Sequence, residues 1–239
     1  MSDKQMSLVE HLDELRRRIL VSVAAVIVCS VLAFWKVQVI LSMLLFPPVD
    51  QLAFFSPTEA FMEYCKLAFF AGLFLASPVV LYQLWAFISA GLNEKERRTV
   101  FYALPFSVTL FLAGVVFAYR FVLPWALKFL INFPGPNILP ILSMSKYLSF
   151  VIMMLLAFGI VFEMPVAVMI LTKLGIVTPS FLSRNRKFAI VAIFIAAAVI
   201  TPTPDAVNQC LMAVPMLFLY ELSILISKLV YKKGDKDDA

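Results

Sequence analysis

Charged residues are scarce in this chain. Of its 239 residues, 15% are charged and 62% are hydrophobic, a balance far from that of a soluble globular domain. There is one histidine, His11, and the spacing of Cys29, Cys65 and Cys210 fits neither a disulfide framework nor a metal site. There is also no GxxxxGK[ST] phosphate loop. These absences argue against an ATPase, an intramembrane metalloprotease and a Ser-His protease. We therefore expect an integral membrane protein that is not an enzyme and needs no cofactor.

The apolar residues fall into blocks of about 20, the length that a helix needs to cross about 30 Å of hydrocarbon. The predicted fold class is an all-α membrane protein with six transmembrane helices. The predicted spans are Ile19–Trp35, Leu67–Ile88, Val100–Tyr119, Tyr147–Leu171, Phe188–Ile200 and Ala206–Ile226. The fifth would rise only about 20 Å at 1.5 Å per residue. With the sixth it forms a short hairpin around the TPTPD turn at 201–205, so we expect a thinned or water-filled groove on that side.

Lysine and arginine residues are distributed unevenly around these spans. Fifteen flank one side and five flank the other, which predicts that both termini are cytoplasmic and that the number of spans is even. We expect residues 1–233 to form one membrane domain, followed by a polar tail at 234–239. The loops 36–66 and 120–146 are rich in proline and large apolar residues, and they are predicted to form a cap of short helices over the outer ends of the spans.

Both signs of charge meet in HLDELRRRIL, residues 11–20, at the edge of the first span. Pairs at i,i+4, Glu14 with Arg18 or Asp13 with Arg17, would stabilise a helix by about 0.2–0.5 kcal/mol each. Three consecutive arginines are typical of topology and lipid anchors. Carboxylates on a cytoplasmic membrane surface, however, repel anionic lipids. Their presence favours a cationic partner.

Residues 1–18 are predicted to form an amphipathic helix that lies on the cytoplasmic surface. Ser7 and Glu10 fit a capping box, which would start this helix. A second island of mixed charge, LNEKERRTVF at 92–101, contains Glu94 and Glu96 in a short cytoplasmic loop. Such a loop is either a solvated turn or, jointly with the first island, a binding surface for a basic peptide. Bidentate carboxylate pairing would select arginine over lysine there.

Two carboxylates lie within predicted spans. A carboxylate at this depth is costly and is by default a functional-site hypothesis. Glu163 is followed by Pro165, whose missing N–H predicts a polar break in the fourth span. Glu221 is about five residues from the cytoplasmic end of its helix, so a structural role is an equal alternative. These two residues also leave open a second function, a secondary transporter of a small solute or ion.

Four segments of the chain closely resemble the TatC family, the receptor subunits of the twin-arginine protein translocase. They are HLDELRRRIL, SPVVLYQLWAFISAGLNEKERR, YLSFVIMMLLAFGIVFEMPVAV and TPTPDAVNQCLMAVPMLFLYE. The resemblance implies a multi-pass protein of the inner membrane that binds Arg-Arg signal peptides at its cytoplasmic face. It also implies export of folded proteins driven by the proton-motive force.

The resemblance further implies roles for individual residues. Those that match signal-peptide-binding positions of the family are Glu14, Glu96, Arg16 and Phe87. Glu163 matches the family's polar membrane glutamate. Residues in the region that would contact TatA-type and TatB-type single-span subunits are Thr201, Asp205 and Gln209. The partners implied are signal peptides of folded cargo, these subunits, the lipid bilayer and further copies of the chain, with no nucleic acid.

Overall fold

The computed structural model describes residues 8–47, 49, 51–90, 94–135, 140–201 and 205–231, and in this part of the chain the regular structure is helical. The helices are α1 (Leu8–Phe34), α2 (Val37–Leu44), α3 (Pro57–Ala90), α4 (Glu94–Phe117), α5 (Leu123–Asn132), α6 (Met144–Val161), α7 (Met164–Lys173), α8 (Pro179–Arg184), α9 (Arg186–Ile200) and α10 (Ala206–Val230). Ser7 of the predicted capping box, positions 202–204 of the TPTPD turn and the polar tail at 234–239 lie outside the described residues.

Five stretches of the described helices are long and apolar enough to cross a membrane. They are Val9–Phe34, Pro57–Ala90, Val100–Asn132, Met144–Lys173 and Ala206–Val230. Five of the six predicted spans are therefore confirmed as apolar helices of sufficient length. The remaining one is α9, whose 15 residues rise about 22 Å, short of the hydrocarbon thickness. Six crossings and the side on which the termini lie stay predictions.

The predicted end of the third span at Tyr119 is wrong. The chain passes without interruption from α4 through a π-helical turn, Ala118–Val122, into α5, so that the helix continues to Asn132. Pro124 stands in the first turn of α5, where its missing N–H costs no helical hydrogen bond. The first part of the predicted 120–146 loop is therefore helical, and the same is true of the last ten residues of the 36–66 loop, which belong to α3.

The break predicted in the fourth span is confirmed. α6 ends at Val161 and α7 begins at Met164, so Glu163 lies in the turn between two helices that together make one span. Pro165 occupies the first turn of α7. Because α7 runs ten residues from here to Lys173, Glu163 lies about 15 Å from the end of this span.

α1 packs along α3 at very short range. A methyl group on Gly72 of α3 would lie 2.5 Å from the backbone nitrogen of Ser30 and 2.6 Å from its Cα. The Ser30 hydroxyl donates to the Val26 carbonyl at 2.7 Å and approaches the Phe69 carbonyl of α3 at 3.4 Å. Small residues that allow two backbones to approach are the usual means of packing helices in membranes.

Gly72→Ala is expected to destabilise the protein toward the upper end of the about 1–3 kcal/mol that overpacking costs, because the new methyl group meets backbone that cannot rotate away. We expect the melting temperature in detergent to fall by about 5 °C or more. Gly159→Ala is the matched control, since its methyl group would meet the Phe111 ring at 2.8 Å and a ring can shift. An equal fall in both variants would contradict this account of the α1–α3 contact.

Polar contacts join the two long segments that connect the spans. Ala53 and Ser143 form a parallel β-bridge, with Ala53 N–H donating to Leu142 O at 2.9 Å and Met144 N–H donating to Ala53 O at 2.8 Å. The Tyr147 hydroxyl donates to the Leu44 carbonyl at 2.7 Å. These contacts, with the short helices α2 and α5, are compatible with the cap that the sequence predicts over one end of the spans.

Candidate functional site

The first polar site lies between the N-terminal part of α1 and the C-terminal part of α3. On α1, His11, Glu14 and Arg18 are spaced at i, i+3 and i+7, which places them on one face of the helix. On α3, Gln83 and Phe87 are four residues apart. The His11 and Phe87 rings stack with their centroids 4.5 Å apart and their planes inclined by 26°. The two helices are therefore antiparallel and in contact here.

Arg18 connects the charged and polar groups of this site. It forms an ion pair with Glu14, and its Nη1 donates to Gln83 Oε1 at 3.0 Å. The Arg18 and Glu14 side chains are only 19% and 23% exposed. The contribution of such a pair to stability lies between two limits. An exposed ion pair contributes about 0–1 kcal/mol, whereas in a buried pair the loss of one partner is costly because the other charge is left unpaired. The Nε of Arg18 is buried and has no hydrogen-bond partner among the described residues.

These groups surround an open cavity of about 250 Å³, here named the N-terminal pocket. It is lined by Glu14, Arg17, Arg18, Val21, Tyr82 and Gln83. Glu14 thus stands in a partly desolvated space that is open to an incoming group, rather than on the lipid-facing side of α1. The pocket is large enough for one guanidinium group, and Arg18 lines it beside the Glu14 carboxylate.

The structure brings only some of the predicted signal-binding residues together. Glu14 lines the N-terminal pocket, and Phe87 does not line it but stacks on His11, which is three residues before Glu14 on α1. Arg16 is exposed and is two residues from Glu14, so it points to another side of α1. The backbone of Glu96 belongs to the first turn of α4, but its side chain lies outside the described residues.

Arg18, Gln83 and Tyr82 were not predicted as members of this site. Arg18 was interpreted as one of three arginines that fix the orientation of the chain and the geometry of the site, and its i,i+4 spacing from Glu14 indicated a pair. Gln83 had a weak signal, because it is an uncharged polar residue four positions before Phe87 in an otherwise apolar run. Its contact with Arg18 joins residues 65 positions apart, which no local pattern shows.

The second polar site is a chain of hydrogen bonds inside the apolar region, here named the Glu163 chain. Trp85 Nε1 of α3 donates to Ser107 Oγ of α4 at 2.8 Å, and Ser107 Oγ donates to Glu163 Oε2 at 2.6 Å. Ser107 is fully buried and Trp85 nearly so. The other carboxyl oxygen, Glu163 Oε1, is buried and makes no hydrogen bond to a described residue. The described residues thus hold one oxygen of this carboxyl group and not the other.

Glu221, the other predicted membrane carboxylate, has a different environment. Arg186 at the start of α9 donates from Nη2 to Glu221 Oε2 at 2.8 Å, and both side chains are about half exposed. The neighbouring Tyr220 hydroxyl donates to the Leu182 carbonyl of α8 at 2.9 Å. These contacts tie α10 to α8 and α9, which favours the structural alternative for Glu221.

The three residues predicted to contact partner subunits all lie where α9 turns into α10. Asp205 caps α10 by accepting from Asn208 N–H at 2.7 Å, and Gln209 Nε2 donates to the Phe194 carbonyl of α9 at 3.0 Å. Thr201 is 8% exposed at the end of α9. Within this chain Asp205 and Gln209 stabilise the hairpin, and contact of the three residues with another subunit stays a prediction.

The described part of the chain has no three His, Cys, Asp or Glu side chains close enough to hold a metal ion. Its polar groups form a pocket at one end of the α1–α3 pair and a carboxylate within a span, and its long apolar helices are those of a multi-pass membrane protein. The model of the family "Sec-independent protein translocase protein (TatC)" matches residues 10–215. The chain belongs to the TatC family.

Known members of this family are similar over nearly the whole chain. The TatC protein of Carboxydothermus hydrogenoformans is 44% identical over 98% of this chain and 97% of its own length. TatCy of Bacillus subtilis is 40% identical over 100% of this chain and 95% of its own length. A crystal structure of a twin-arginine translocase receptor, TatC, superimposes with a TM-score of 0.79 at 41% identity, covering 92% of this chain and 99% of that one. A second, in DDM, gives a TM-score of 0.82 at 41% identity, covering 91% and 99%.

These matches establish the general function of the protein and its location in the cell. The protein is a TatC-family subunit of the Sec-independent Tat translocase, in a family of receptors that is not known as an enzyme family. It is a multi-pass protein of the inner membrane, in agreement with its apolar helices.

Proposed function

We propose that this chain is the translocase subunit that binds Arg-Arg signal peptides, through Glu14 in the N-terminal pocket and Glu96 at the start of α4. Both termini then lie in the cytoplasm, and α9 completes a set of six crossings. The observation that carries the proposal is the position of Glu14, a carboxylate that is 23% exposed, next to an open cavity and already paired with a guanidinium group. A site that holds Arg18 in this way has the chemistry to hold an arginine from outside the chain.

Arg18 acts as an internal stand-in for the signal in this proposal. An incoming arginine competes with it for Glu14, while Gln83 keeps the displaced Arg18 in place through the 3.0 Å hydrogen bond. Because a guanidinium group presents two parallel donors to one carboxylate, an arginine gains more from this exchange than a lysine, whose ammonium is a point charge. The His11–Phe87 stack, about one helical turn from Glu14, offers an aromatic surface beside which the apolar part of a signal peptide can lie.

Single-span subunits of the TatA and TatB type assemble, in this proposal, along the short hairpin of α9 and α10. Large apolar residues on these helices are exposed, including Phe188 and Val199 of α9 and Val214 and Phe218 of α10. A hairpin that starts with a 15-residue helix thins the bilayer beside it, which lowers the barrier for cargo. The proton-motive force drives the transport step, and several copies of the chain assemble in the active translocase.

The test of the receptor function is binding of labelled signal peptides to the detergent-purified full chain. We expect the Arg-Arg peptide to bind about tenfold more tightly than its Lys-Lys version, because arginine forms charge-assisted bidentate bonds with a carboxylate. A factor of ten in affinity corresponds to about 1.4 kcal/mol. Equal affinities for the two peptides would overturn the proposed recognition. In that case, movement of a small solute by the purified chain alone in liposomes would support the transporter alternative.

A further inference from the structure

The opposite end of α1 carries a second cavity, which none of the features above uses. It has a volume of about 490 Å³ and lies where α1 turns into α2 and meets the beginning of α3. Its lining includes Phe34, Trp35, Lys36, Val37, Phe61 and Tyr64. Four of these six residues are aromatic, and the single charge is the ammonium of Lys36. The cavity therefore combines an apolar wall with one cation.

The position of this cavity along α1 matches the far interface of the membrane. Lys36 follows Arg18 by 18 residues, which corresponds to about 27 Å of helix and so to about one hydrocarbon thickness. Trp35 is 80% exposed and Phe61 is 60% exposed, on the outside of the molecule. Tryptophan and tyrosine near a lysine are typical of the level of the lipid headgroups. If Arg18 stands at one interface, Lys36 stands at the other.

The base of the Lys36 side chain is held in place. Its backbone N–H donates to Ala33 O at 3.0 Å, and its carbonyl accepts from Ile40 N–H at 3.0 Å, so the turn between α1 and α2 is hydrogen-bonded on both sides. Val37, the next residue, is 8% exposed and belongs to the main apolar core. The floor of the cavity is thus fixed, while the ammonium at the end of the lysine is exposed to the headgroup region.

We infer that this cavity is a binding site for an anionic phospholipid of the outer leaflet, with Lys36 contacting the headgroup phosphate and the aromatic wall contacting the upper acyl chain. Charge complementarity selects the anionic lipid, because the lining has a cation and no carboxylate. The Tyr64 hydroxyl and the Gln38 amide, which also line the cavity, supply uncharged donors for the glycerol part of a headgroup. This site depends only on the membrane placement of α1 and not on signal-peptide recognition.

The test uses the full chain in nanodiscs of phosphatidylcholine that contain a small fraction of photoactivatable phosphatidylglycerol. After illumination, the labelled peptides are identified and quantified by mass spectrometry. We expect labelling of the 34–39 and 61–64 segments, and Lys36→Gln should lower it about fivefold, the factor that corresponds to about 1 kcal/mol per basic residue near an anionic surface. Lys36→Arg should retain it, and inorganic phosphate should not compete with the lipid.

Lys128→Gln is the matched control. Lys128 is an exposed lysine on α5, close to the 73% exposed Trp125, but it does not line the cavity. We expect its substitution to leave labelling of the two segments unchanged. Equal loss in the Lys36 and Lys128 variants would show a general attraction of lysines for anionic lipid and would overturn the inference. Equal labelling by a photoactivatable phosphatidylcholine would overturn it as well.

Discussion

Glu14→Gln is expected to weaken binding of the Arg-Arg signal peptide by about tenfold or more and to remove most of its advantage over the Lys-Lys peptide. A hydrogen bond to a charged group contributes about 1.5–3 kcal/mol, and the Glu14 carboxylate is the acidic group of the N-terminal pocket. The amide of glutamine keeps the shape of the side chain but offers one acceptor oxygen and no charge. The measurement is a titration of both labelled peptides against the purified variant.

A second effect must be separated from the loss of the carboxylate, because Glu14→Gln also releases Arg18 from its ion pair. A freed guanidinium group would repel a cationic peptide. The Arg18→Gln variant removes that competitor, so we expect the Arg-Arg peptide to bind up to about twofold more tightly, as the about 0.3–0.5 kcal/mol of an i,i+4 pair suggests. The double variant should recover only the part of the loss that this repulsion causes and should bind well below wild type. Recovery of wild-type affinity in the double variant would contradict direct recognition by Glu14.

Asp13→Asn is the matched control for charge. Asp13 is the exposed carboxylate next to Glu14 in the sequence, but it does not line the pocket. Its loss should change the affinity of either peptide by less than about twofold, because an exposed ion pair contributes little. Glu96→Gln, in the first turn of α4, is expected to behave like Glu14→Gln. If the Asp13 variant lost as much affinity as the Glu14 variant, the peptide would be responding to negative charge in general.

The sequence predicted this pocket only in part, for a physical reason. Glu14 and Phe87 were predicted through the family resemblance, and the i,i+4 spacing also predicted the Glu14–Arg18 pair. Gln83 was missed because its partner is far away in the sequence and the register of α1 against α3 decides which residues meet. The close approach of α1 and α3 at Gly72 belongs to that register, and a pattern of apolar residues does not reveal it.

The fold, like the pocket, was predicted where the signal lies within one segment of the sequence and was missed where contacts between distant segments decide it. Long apolar runs predicted five helices correctly, and Pro165 predicted the break at Glu163, because both features act within one helix. The third span was predicted to end too early because Arg120 and Pro124 are typical of a loop. A π-helical turn at Ala118–Val122 and a proline in the first turn of α5 instead let the helix continue. Ser107 and Trp85 gave no signal, since their roles depend on three helices meeting.

Glu163→Ala is expected to reduce export of folded cargo by a factor of about ten or more, while binding of the Arg-Arg peptide stays within about twofold of wild type. The Glu163 chain is an arrangement in which two other helices hold one carboxyl oxygen and leave the second without a bond to a described residue. A carboxyl group at this depth in the membrane costs free energy that a valine or leucine at position 163 would not cost. The expected loss of export follows from the family resemblance, in which Glu163 matches the polar membrane glutamate of TatC proteins.

Ser107→Ala tests the same chain without removing the carboxyl group. It deletes the 2.6 Å hydrogen bond to Glu163 and the acceptor of Trp85 Nε1. The carboxyl group is then still present but is no longer oriented by Ser107. We expect an export rate between those of wild type and Glu163→Ala. The assay is uptake of a folded fluorescent cargo by inverted membrane vesicles that carry the partner subunits and an imposed proton gradient, with melting curves to show that each variant is folded.

Glu221→Gln is the control that separates a functional carboxylate from a structural one. Glu221 is also in a span, but it is half exposed and paired with Arg186, so its substitution should cost little stability and leave export nearly unchanged. Normal export by Glu163→Ala, with partner assembly intact, would contradict a transport role for this carboxylate. A parallel loss of peptide binding would contradict the separation between the two sites. Peptide binding is a strict test of this separation, because Trp85 of the Glu163 chain and Phe87 of the first site are only two residues apart on α3.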